Sequence, residues 1–108
     1  MGLDQYAFAC KGDDRYEIGC WRKHANLEGW MSDLYRSRGG EGDFNCIELK
    51  LFDADILNLE KEYQRLETAT GFFWGTSQGE DDELTQEFIA NAKEAIEDGY
   101  DVVYTSWW

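Results

Sequence analysis

The chain has 108 residues and a mass of 12.6 kDa, enough for one domain and too little for two that each bury a core. Ten Lys and Arg against 23 Asp and Glu leave a formal net charge of −13, which excludes the basic footprint of a nucleic-acid binder. A hydrophobic content of 43% with 16% aromatic residues excludes a disordered acidic chain, because it supplies the apolar surface that such chains lack.

Residues 3–9 alternate, with Leu3, Gln5, Ala7 and Ala9 on one side of an extended chain and Asp4, Tyr6, Phe8 and Cys10 on the other. This predicts a first strand. The turn cluster Lys11-Gly12-Asp13-Asp14 follows, and Tyr16, Ile18 and Cys20 then alternate with Arg15, Glu17 and Gly19, predicting a hairpin. From His24 the period changes. Leu27, Trp30, Met31, Leu34 and Tyr35 fall at i, i+3, i+4, i+7 and i+8, the apolar stripe of a helix capped by Asn26 and stopped at Gly39-Gly40. Ile47, Leu49 and Leu51 predict a strand, and Asp53 or Asp55 caps a second helix with apolar positions Ile56, Leu59, Tyr63 and Leu66. The segment 71–75 (GFFWG) reads as a short buried strand. Acids 80–83 open a third helix carrying Leu84, Phe88, Ile89, Ala92, Ala95 and Ile96, with Gly99 beyond its end, and residues 100–106 form a last strand.

The order is β-β-α-β-α-β-α-β, without repeat or linker. The predicted fold is therefore α+β: a single domain over 1–108, with one sheet of about five strands packed by three amphipathic helices. A radius of gyration on the order of 13 Å suits such a domain. No window reaches the roughly 20 apolar residues of a membrane span, and the first ten residues have no basic and apolar leader pattern. The expectation is a cytoplasmic protein that engages no membrane. Cys10, Cys20 and Cys46 are odd in number and form no C-x-x-C pair, so they read as reduced thiols.

Several clusters invite a chemical reading. Residues 39–42 (GGEG) follow a helix rather than opening one and carry Glu41, so a plain turn is preferred to a phosphate cradle. Residues 71–79 lack the Lys of a nucleotide loop. Cys20, His24 and Cys46 have ligand chemistry suited to zinc, but a structural zinc takes four ligands in paired spacings. A Cys thiol activated by His24 would need contact in space and a lowered pKa, which Arg22 and Lys23 would favour. No catalytic residue, metal or cofactor is assigned on these grounds. Trp21, Arg22 and His24, with Trp30, Arg36 and Trp74, form a candidate small-anion site, because a guanidinium beside an indole clamps a carboxylate or phosphate. The simpler reading makes the cations neutralise the acidic third helix. Nine acids (Glu80, Asp81, Asp82, Glu83, Glu87, Glu94, Glu97, Asp98 and Asp101) stand against Lys93 alone. They read either as a solvated surface or as a face, led by Glu80, Asp81, Asp82, Glu83 and Glu87, that imitates a nucleic-acid backbone and occupies a DNA-binding partner.

Residues 1–6 (MGLDQY), 21–31 (WRKHANLEGWM), 44–46 (FNC), 71–75 (GFFWG), the acidic helix 81–98 and the end 104–108 (YTSWW) resemble a family of small proteins of about this length encoded by bacteriophages and bacteria. The likeness spans nearly the whole chain, departing at Gln5, where Met is usual, and at Glu28, where His is common. Members sometimes carry the name phosphoglycerate kinase, but that enzyme needs two nucleotide-fold lobes, a Gly-rich loop and a basic phosphate cluster, for which this chain has neither length nor motif. The resemblance implies a phage or prophage accessory protein. Its expected partner is a host or phage protein, with no direct nucleic-acid binding and no reaction of its own. The alternative expectation is a metabolite binder or minor enzyme around Trp21, Arg22, His24 and segment 71–75.

Overall fold

The computed structural model describes residues 3–22, 24–42, 44–65 and 82–107. In chain order these form β1 (Asp4–Lys11), β2 (Asp14–Arg22), α1 (Ala25–Ser37), β3 (Leu49–Leu51), α2 (Asp53–Glu62) with a 3-10 turn at Tyr63–Arg65, α3 (Asp82–Glu97) and β4 (Asp101–Trp107). The strands make one antiparallel sheet in the order β2-β1-β4-β3. The α+β class is as predicted, with four strands among the described residues where about five were expected. The expected strand at 71–75 and the last apolar position of the second helix, Leu66, lie outside them.

Strand β1 keeps its predicted alternation: Gln5, Ala7 and Ala9 are buried, and Asp4, Tyr6, Phe8 and Cys10 are half-buried on the other side. Strand β2 does not. Ala7 pairs with Gly19 but Phe8 pairs with Glu17, so Ile18 is an extra residue in a β-bulge. The bulge breaks the predicted grouping of Tyr16, Ile18 and Cys20. Ile18 joins the core, while Cys20, opposite Tyr6, lies exposed on the far face.

All three helices cover the face bearing Ala7, Ala9, Val102 and Tyr104. Leu27 and Met31 of α1, Ile56 and Leu59 of α2, and Phe88, Ile89, Ala92 and Ala95 of α3 form one buried cluster with them. The small residues Gly19 and Ala7 lie side by side beneath α3, where Trp21 meets Phe88 edge-on at 5.1 Å. Stacked rings continue the core through Tyr104, Phe44 and Tyr35. The Cα radius of gyration is 13.0 Å.

The caps differ from those expected. Helix α1 starts two residues earlier than Asn26 predicts, with His24 as its N-cap. Helix α2 is preceded by Phe52, whose N–H donates to the Asp55 carboxylate at 2.8 Å. Asp55 thus acts from the third helical position, as the acid of a capping box does. Both α1 and α3 end as their glycines predict. Gly39 and Gly99 have φ of 87° and 86°, and the next N–H returns to Tyr35 or Ala95 respectively.

A Cβ added at Gly19 would stand 2.8 Å from Trp21 Cη2 and 3.0 Å from Phe88 Cδ1. Trp21 cannot swing aside without losing its bond to Thr85 (2.9 Å). Gly19→Ala is therefore expected to destabilise the fold by about 1–3 kcal/mol through overpacking, measured by urea unfolding; an unchanged midpoint would contradict this packing.

Candidate functional site

The five described residues of the predicted anion site occupy separate environments. Successive side chains of a strand point to opposite faces, and Trp21 and Arg22 obey this. Trp21 is buried, with its indole N–H on Thr85 of α3, whereas Arg22 is on the far face, 83% exposed and 3.4 Å from Asp4. His24 is buried at the start of α1, its backbone N–H and C=O both held by the Gln5 side chain (2.8 and 3.1 Å). Trp30 donates to Glu62 of α2 at 2.9 Å, Arg36 is exposed in the last turn of α1, and Trp74 is outside the described residues.

Among the described residues, neither Arg22 nor Arg38 makes its ion pair with the acidic third helix. Arg22 pairs with Asp4, and Arg38 pairs with Asp55 while also donating to the Lys50 carbonyl at 2.6 Å. Arg38 thereby ties the end of α1 to β3 and to the start of α2. On α3 itself, Lys93 is bonded to Glu60 at 2.5 Å.

Thiol chemistry at Cys20 is disfavoured. Partial desolvation, then the charges of Glu17 and Asp4, raise its pKa against the opposing pull of Arg22, so the thiolate is the scarcer form. His24 is anchored to inward-facing Gln5, and Cys20 lies on the outward face. Among the described residues no group of three or more His, Cys, Asp or Glu is placed to hold a metal ion.

Of the predicted acidic face, Glu80 and Asp81 lie outside the described residues and Asp82 opens α3. Glu83 and Glu87 are exposed, and Glu94 and Glu97 continue their stripe, which runs about 21 Å along the helix. Asp101 does not belong to it. Asp101 lies opposite Cys10 on the outer face and pairs with Lys50 at 3.4 Å.

Two features carry functional weight that the sequence reading did not assign. The first is a buried polar network. Glu28 of α1 is fully buried, with one carboxylate oxygen accepting from the Tyr104 hydroxyl (2.7 Å) and the other from the Ser106 hydroxyl (2.8 Å). The Tyr104 oxygen in turn accepts from Gln5 Nε2 at 2.8 Å. Burying a carboxylate is costly unless its oxygens are satisfied, and hydrogen bonds to a charged acceptor are the stronger kind. The available signal was Glu28 lying four residues after His24 and three before Met31, inside the apolar stripe rather than across from it.

The second feature is the outer face of the sheet. Tyr6 and Phe8 of β1 stack with ring centroids 6.3 Å apart, and Trp107 of β4 leans on Tyr6 at 5.6 Å. Arg15 reaches from the β2 edge over the Phe8 ring (4.4 Å) to Glu48, which precedes β3 at the opposite edge, and bonds it at 2.7 Å. The alternation of β1 marked Tyr6 and Phe8 as sharing a face. Only the pairing of β1 with β4 adds Trp107.

No family model, curated protein or solved structure matches the chain.

Burial, then the negative charge of Glu28, holds the Tyr104 hydroxyl well above the ordinary phenol value of 10.0. The folded state thus keeps a proton that the unfolded state gives up. The resulting stability is complete below pH 10 and is lost as the pH rises beyond it. In an alkaline titration followed by tyrosinate absorbance, Tyr104 is expected to ionise only with unfolding. Tyr104→Phe should remove that coupled step; a Tyr104 signal that titrates reversibly near 10 in the folded chain would contradict its burial beside Glu28.

Proposed function

We propose that the chain is a phage or prophage accessory protein that acts in the host cytoplasm by binding a host or phage protein through its acidic and aromatic surfaces, with no reaction of its own. The observation that carries this reading is the solvent face of α3. Glu83, Glu87, Glu94 and Glu97 line one exposed stripe, and among the described residues no ion pair engages them. A stripe of one sign raises association rates with a basic partner surface and rejects acidic ones. Its spacing of charge along one helix also suits a partner whose usual ligand is a nucleic-acid backbone.

The aromatic contribution comes from Tyr6 and Trp107, on the opposite side of the molecule from the helices. Among the described residues no helix is long and apolar enough to cross a membrane. The phage setting rests on the sequence resemblance. The two departures from that family pattern, Gln5 and Glu28, are both hydrogen-bonded to Tyr104 and so alter one interior network rather than the surface. The metabolite-binding alternative needs Trp21, Arg22 and His24 to converge, and it draws no support from their placement on the two sides of the sheet.

Capture from a bacterial host lysate by the immobilised chain tests this reading. One protein is expected to be retained at low salt and released at high salt, since exposed charges are screened within about 8–10 Å at 0.1–0.15 M salt. Neutralising Glu80, Asp81, Asp82, Glu83 and Glu87 together should reduce capture at least about tenfold. Undiminished capture by that variant would remove the acidic segment from the account. Absence of any partner, together with thermal stabilisation by an anionic metabolite, would favour the alternative.

A further inference from the structure

The two layers of the molecule differ sharply in charge. Helices α2 and α3 carry nine acids against Lys61 and Lys93. On the outer sheet face, Arg15, Arg22 and Lys50 stand among Asp4, Glu17, Glu48 and Asp101, and each cation is already paired on that face with Glu48, Asp4 or Asp101. Inside this frame lie Tyr6, Phe8, Val103 and Trp107, contributed by the two central strands. Trp107 is 53% exposed.

We propose that this face is where two copies of the chain meet, sheet against sheet, in a two-fold symmetric homodimer. Two molecules of charge −13 repel each other over most of their surfaces. The outer face is the surface on which that repulsion is least, because its charges nearly cancel. Three of its four acids are paired before association, so burying the inner edges of those pairs strands no charge, the main penalty on polar interfaces; the fourth, Glu17, is exposed on the edge strand β2, where it can stay at the solvated rim. The neutralised Arg15 guanidinium over Phe8 is planar and weakly hydrated, a surface that accepts packing as an ammonium does not. Facing sheets pack about 10 Å apart with interleaved side chains, a gap that rings from the central strands fill.

The size of the face sets the strength. Strands of eight, nine, three and seven residues, set about 4.8 Å apart, cover about 430 Å² per copy, so a dimer would bury on the order of 1,000 Å² in total, at the lower limit of specific interfaces. The dimer is accordingly weak, and it leaves the α2–α3 layer of both copies turned outward. A second copy on the aromatic face confines the proposed partner's contact to the acidic α3 side, and the dimer does not depend on who that partner is.

Sedimentation equilibrium of the full chain from about 1 μM to about 1 mM tests it, over the range in which interfaces of this size associate. The expected mass rises from 12.6 kDa to twice that value. Trp107→Glu should raise the half-association concentration at least about tenfold, whereas Glu87→Lys should not raise it. Added salt should leave association unchanged or strengthen it, by screening the repulsion between copies. A wild-type chain monomeric to about 1 mM would overturn the proposal and give the face to another occupant. So would a Trp107→Glu chain, folded by circular dichroism, that dimerises as the wild type does. Should that variant fail to fold, amide shifts of the unmodified chain on dilution decide. Changes along β1 and β4 support the proposal, and changes confined to α2 and α3, or none, overturn it.

Discussion

A buried carboxylate fixes this architecture. Glu28 is taken wholly out of water, and what makes that tolerable is a pair of hydroxyls from alternate residues of one strand, Tyr104 and Ser106, each meeting one of its oxygens. A carboxylate with two such partners admits one placement of α1 along β4, since a shift of one helical turn would leave charge and hydroxyls unsatisfied together. Gln5 extends the constraint to β1 and to the backbone at His24, so the entry to α1 is fixed by the same network. The apolar core supplies the larger driving force, but apolar contacts alone accept many registers. The polar network selects one.

Because α1 is held in this way and α2 and α3 pack beside it on the same face, the molecule is two layers deep, with one sheet surface outside the core. Charge follows the layers. Acids accumulate on the helix side, where Glu83 and Glu87 stand exposed on α3. Aromatic side chains of the central strands stand on the other side within internally neutralised ion pairs. The two sides suit different tasks: long-range attraction of a basic partner on one, and short-range apolar contact on the other. Two residues of the predicted anion site are engaged in holding the elements together. Trp21 holds α3 to β2, and Trp30 holds α1 to α2.

The elements were legible where a period was strong. Strand β1 alternates cleanly, and helix ends at Gly39 and Gly99 fall where a left-handed residue is needed. Legibility failed at β2, because Gly19 has no side chain to declare a face and the bulge at Ile18 resets the alternation beyond it. It failed also at the helix caps, where His24 and Phe52 precede helices whose local sequence favours Asn26, Asp53 or Asp55 as the cap. Strand order depends on contacts far apart in sequence, such as Ala7 with Tyr104, and local pattern does not contain it. The Glu28 network was hidden for the same reason. An acid within an apolar stripe reads as a surface charge until Tyr104 and Ser106, more than seventy residues away, are brought to it.

The role assigned to Glu28 is tested most directly by a double-mutant cycle with Glu28→Gln, Tyr104→Phe and the double variant, each unfolded in urea. A buried carboxylate held by the Tyr104 hydroxyl predicts a coupling energy of roughly 1.5–3 kcal/mol. Additive losses, with coupling below about 0.5 kcal/mol, would mean that the two groups act independently and that apolar packing alone positions α1 on the sheet.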